Sequence, residues 1–179
     1  MYSRAGFAYT GIIMMLGMSL ATFTVVHVLI SLIAIASGFV VVFGLLAGKR
    51  LDGLTTLFLT TTVLTSITAF MFPFEHVTPG IKLGVISLIV LAVAIAARYA
   101  FHLAGAWRSI YSVGATLALY LNVFVLVVQL FEKVPALHEL APTGSEPPFL
   151  VAQLVVLAVF LALGVLATVR FRRVAAHAA

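Results

Sequence analysis

The chain has 179 residues, of which 64% are hydrophobic and 8% charged, with a net charge of +5 and no cysteine. Soluble domains carry about 45–50% apolar and about 25% charged residues, and disordered chains are more polar still, so both classes are excluded. The missing cysteines also exclude disulfides, thiolate metal sites and a cysteine nucleophile.

The composition predicts an all-α, polytopic transmembrane helical bundle with the lipid bilayer as its first partner. A β-barrel would need alternating segments of about ten residues, and the sequence has none. Basic residues sit at the ends of apolar runs, so lipid headgroups, not nucleic acid, account for the sequence pI near 10.0.

A crossing helix needs about 20 apolar residues, and five runs qualify. The stretch before the first, residues 1–26, fits three readings. Met1–Ala21 has the basic start, apolar core and small-residue Ser19-Leu20-Ala21 site of a signal sequence. Met14, Met15 or Met18 could instead be the start. Thirdly, Ala5–Val26 could be a helix in its own right. The spanning bundle is expected over 27–170, with a basic tail over 171–179.

The first run starts near His27 and ends at Ala47. Gly48-Lys49-Arg50-Leu51-Asp52-Gly53 is a polar turn, with Gly48 ending one helix and Asp52 capping the next. The second run, Leu54 to Phe72, carries eight hydroxyl residues and stops at Pro73. Thr78-Pro79 opens the third, Gly80 to Ala100. The fourth is Ser109 to Phe131. Glu132 to Pro147 holds three prolines and cannot be one helix, although Ala136–Leu140 has room for one turn. The fifth is Pro148 to Val169.

Lysine and arginine set the orientation. Lys49, Arg50, Arg98, Arg108, Arg170, Arg172 and Arg173 gather on one side, and Lys82 and Lys133 on the other. The positive-inside rule makes the first side, with the C-terminus, cytoplasmic.

Site candidates are few. On the fourth run Tyr111, Ala115, Ala118, Asn122, Val125 and Gln129 share a stripe. Gln129 and Gln153 lie at similar depth, so an amide pair between them is expected. Thr61, Thr65 and Thr68 share a face of the second run. Asn122, Gln129, Gln153, Thr61 and Thr65 are thus the candidate polar core, as packing groups or as a path for a small neutral or lipid-like molecule. Ala34-x-x-x-Gly38 and Gly80-x-x-x-Gly84 suit close helix crossing, within the chain or in a homodimer. A haem would need histidines at matched depth, which only His27 and His76 approach. No metal-ligand spacing, nucleophile motif or phosphate loop occurs, so no catalytic residue is assigned.

Several strings carry a resemblance: Phe72-Pro73-Phe74; Gly105-Ala106-Trp107-Arg108-x-x-Tyr111; Leu119-Tyr120-Leu121-Asn122 running on to Gln129; and Ala141-Pro142-Thr143-x-x-Glu146-Pro147-Pro148-Phe149. Together they resemble a family of small bacterial multi-pass membrane proteins with no known activity. The resemblance covers about His27 to Val169. It implies an inner-membrane location and supplies no site residues. In size the chain also resembles compact four-helix haem oxidoreductases, whose paired helical histidines it lacks. The expected function is association, as a homo-oligomer or a subunit of a larger membrane complex, without catalysis.

Overall fold

A computed structural model describes residues 14–15, 17–72 and 79–176. Strands β1 (Met14–Met15) and β2 (Met18–Ser19) form a two-rung antiparallel pairing around Gly17. Among the described residues the elements that follow are helices: α1 (Leu20–Leu46), α2 (Asp52–Ala69), α3 (Pro79–Ile95) with a π-helical turn at Ala96–Ala100, α4 (Trp107–Lys133), α5 (Pro135–His138) and α6 (Pro147–Ala176). The chain is an all-α bundle.

Among the described residues, four helical stretches are long and apolar enough to cross a membrane: Leu20–Leu46, Gly80–Ala100, Trp107–Lys133 and Pro147–Arg172. The sequence pattern predicts five, and α2 is the one missing from that set. Its 18 residues span about 27 Å, close to the hydrocarbon thickness, but its hydroxyls dilute its apolarity. Those hydroxyls are masked internally. Thr61 donates to Leu57 O at 2.7 Å, Thr62 to Phe58 O at 2.7 Å, Ser66 to Thr62 O at 3.0 Å and Thr68 to Leu64 O at 2.7 Å. Bonds of this kind keep a hydroxyl satisfied where water is absent.

α1 begins at Leu20, seven residues before the expected start. Ser19 caps it, accepting from Thr22 N at 3.2 Å. The small-residue triplet that reads as a cleavage site therefore also serves as a helix start. Gly48, at φ +71, ends α1 as expected, and Lys49 N returns to Gly44 O at 2.8 Å. The Asp52 cap does not form. Leu51 takes the cap position at φ +43 without a side-chain bond, and Asp52 bonds to Arg98 instead. A charge-assisted bond to a guanidinium is about twice as strong as a neutral one, and Asp52 still sits favourably at the positive end of the α2 dipole. Pro79 opens α3, and α5 supplies the single turn expected in the long loop. α6 continues past Val169, and Phe171 is buried.

α1 packs against α2, α4 and α6; α4 against α3 and α6; and α2 against α3. The contacts fall where small residues allow. A Cβ on Gly38 would lie 2.7 Å from Leu119 Cδ1 and 2.8 Å from Phe58 Cε2, one on Gly84 2.9 Å from Phe70 Cζ, and one on Gly114 3.1 Å from Ala94 Cβ. Ala34, Gly38 and Gly84 are thus engaged inside the bundle, whereas Gly80 is exposed. Val41, Val42, Leu45, Phe58, Leu119, Tyr111 and Phe171 form the centre of the core.

Candidate functional site

The sequence-predicted polar residues divide into separate pairs. Asn122 Nδ2 donates to Thr62 Oγ1 at 3.3 Å. Ser31 donates to Thr65 Oγ1 at 3.3 Å. Thr61 bonds only to its own helix, at Leu57 O and Phe58 O. The α4 stripe is buried from Tyr111 to Ala118, half-buried at Asn122 and exposed at Val125 and Gln129.

The expected Gln129–Gln153 pair is not formed. Gln153 Nε2 donates to Phe124 O at 3.2 Å, while Gln129 Nε2 reaches Glu132 Oε2 at 3.1 Å on its own helix. α6 enters at Pro147 and descends antiparallel to α4, so Gln153 meets α4 level with Phe124, more than a turn below Gln129. Asn122→Leu is expected to lower stability by only about 0.6 kcal/mol, the mean for an interhelical bond in lipid. Unfolding in mixed neutral and anionic micelles measures it.

His27 contacts Thr68 Oγ1 through Nδ1 at 2.7 Å and meets Phe72 edge-on. The Thr68 hydroxyl already donates to Leu64 O, so in this contact it accepts from His27 Nδ1. His76, the other half of the expected haem pair, lies outside the described residues. Among the described residues no group of three His, Asp or Glu is placed to hold a metal. In the long loop Glu146 accepts from Thr143 Oγ1 at 2.8 Å, Thr143 N at 3.1 Å and Ser145 N at 3.0 Å. Desolvation, the largest single influence, raises its carboxyl. The bonds from Thr143 and Ser145 outweigh that and hold it below the usual carboxylate range, so the brace is lost only as pH falls through that lowered value.

The densest polar cluster is one the sequence reading passed over. At the end of the bundle where α1 hands over to α2, Arg50, Asp52, Thr56, Arg98, Tyr99 and His102 line an open cleft of about 280 Å³. Arg98 arises from the π-helical turn. Its side chain is 6% exposed, whereas that of Asp52, which its Nη2 contacts, is 82% exposed. The guanidinium lies 5.2 Å from the Tyr111 ring centre and 5.6 Å from that of Tyr99. Tyr99 OH meets Thr56 Oγ1 at 3.0 Å. Arg98 Nη1 is buried with no hydrogen-bond partner. Backbone outliers border the same cleft: Leu51, His102 and Leu103 have φ of 43°, 50° and 58°. Such conformations are uncommon for bulky residues, and π turns recur at functional positions.

A sequence signal for this cluster existed. Asp52 is the lone acid on the side that collects seven basic residues. A single acid among so many arginines points to an ion pair, although which arginine takes it depends on packing. Comparison with family models, curated proteins and solved structures gives no match for this chain.

Proposed function

We propose that the chain is a multi-pass protein of the bacterial inner membrane, with its C-terminus cytoplasmic and α2 as a fifth crossing, that works by association and not by catalysis. Antiparallel pairing supports the fifth crossing: α2 runs beside α1 from Phe58 at Gly38 to Thr68 at His27. The observation that carries the association reading is the contrast between the inside and the outside of the bundle. Inside, Tyr111 meets Thr55, Asn122 meets Thr62, Ser66 meets Ser87, Ser31 meets Thr65 and Gln153 meets Phe124 O. Polar groups bonded to one another in this way support a scaffold role.

Outside, α6 presents a broad apolar face. Only 11% of its apolar stretch is buried, against 44% in α1 and α4, and Leu154, Leu161 and Val165 are all more than 60% exposed. In lipid, helices associate by van der Waals packing and hydrogen bonds, with little from the hydrophobic effect. Ala34, Gly38 and Gly84 are engaged internally, so a second copy or a larger subunit would pack on this broader face.

The chain has no cysteine, so single cysteines report cleanly. Leu154→Cys and Val165→Cys in native membranes should give cross-linked homodimers or an adduct with one other protein, whereas Ile89→Cys on α3 should not. A lone monomer from every α6 position would overturn the association reading. A C-terminal tag that labels from outside intact cells would overturn the orientation.

A further inference from the structure

The geometry points to a binding site for a phosphate-bearing anion in the cleft formed by Arg50, Asp52, Thr56, Arg98, Tyr99 and His102, with Asp52 as its displaceable occupant.

Arg98 is the fixed half of its ion pair and Asp52 the movable half. The guanidinium is buried and lies near two tyrosine rings. The carboxylate stands almost wholly in solvent, so swinging it away costs little packing. The pair is also incomplete: Asp52 engages Nη2 and leaves Nη1 buried without a partner. A buried donor left unmatched is costly. A phosphate offers several oxygens and engages both guanidinium nitrogens side by side, which a single carboxylate oxygen does not.

The rest of the cleft suits the same guest. Arg50 is exposed at the rim, and His102 is exposed beside the π turn. Against Arg50 and Arg98 the lining sets one carboxylate, that of Asp52. Tyr99 and Thr56 add hydroxyls on the wall. A volume of about 280 Å³ lies at the lower end of small-molecule sites, about 300–1,000 Å³, so a single phosphate group with a small substituent fits. The cleft is at the end of apolar helices, where phospholipid headgroups also lie. The phosphate can therefore belong to a lipid or to a free anion.

The test titrates the full chain in neutral detergent with short-chain phosphatidic acid, inorganic phosphate and short-chain diacylglycerol, followed by calorimetry. Saturable binding of phosphatidic acid or of phosphate is expected. Binding of the lipid alone assigns the headgroup, and binding of phosphate at comparable strength assigns the free anion. Arg98→Lys keeps the charge but loses the fork and should weaken binding about tenfold or more. Asp52→Asn removes the competing charge while keeping a side-chain oxygen that can accept from Arg98, and should strengthen binding about fivefold. No saturable binding by either phosphate compound in both the parent chain and Asp52→Asn would overturn the site. So would affinities unchanged by Asp52→Asn, or diacylglycerol binding as tightly as phosphatidic acid.

Discussion

Tyr111→Ala is expected to destabilise the bundle by about 3–5 kcal/mol, the range for removing a large aromatic from a packed core. Tyr111 is 0% exposed and among the largest fully buried side chains. Its ring lies 6.4 Å from that of Phe171 on α6 and 5.2 Å from the Arg98 guanidinium, and its hydroxyl reaches Thr55 Oγ1 on α2 at 3.4 Å. One side chain thus ties α4 to α6, α2 and the π turn. Tyr111→Phe keeps the ring and loses only the long hydroxyl contact, so it should cost about 0.6 kcal/mol. Reversible unfolding in mixed micelles separates the two. Equal stability of both variants would show that the ring does not anchor this junction.

Gly38→Val should cost about 1–3 kcal/mol, the usual effect of overfilling a close-packed interior. The position lies where α1 meets α2 and α4, and the incoming carbons would meet the Phe58 ring and Leu119. Leu119 can turn its terminal methyl aside, but the flat Phe58 ring has less freedom. Phe58→Leu in the same chain should therefore recover part of the loss, giving a coupling beyond additivity. The double variant unfolding as the plain sum of its parts would place the strain elsewhere. Ala34→Val, one turn earlier on the same buried face, serves as a comparison.

Features set by local chemistry were legible in the sequence. Pro79 and Gly48 mark helix ends because their backbone preferences act within a residue or two. The long loop reads as broken because its prolines cannot continue a helix. The runs themselves stand out because a bilayer demands unbroken apolarity over a fixed length. What depends on the meeting of distant segments was not legible. Asp52 has the residue type of a cap, and only the arrival of Arg98, 46 positions later, turns it elsewhere. Gln129 and Gln153 look level when depth is counted from the ends of the runs. The count fails because α6 starts immediately after the loop while α4 extends two residues beyond its predicted end at Phe131. The Ala34–Gly38 pair looks the same in sequence whether its neighbour belongs to the chain or to another copy. The cleft was missed for a related reason. Its residues come from two short stretches, each of which alone reads as ordinary basic flanking sequence.

The turn at Ala96–Ala100 is wound with one residue more than an α-helix would use over the same path. Winding the same residues as an ordinary α-helix would instead advance everything downstream by about 100° about the α3 axis. Arg98 would then swing away from the tyrosine rings, and Tyr99 would take a new azimuth with it. The wider turn absorbs its extra residue without that rotation, and so sets where a permanent charge points.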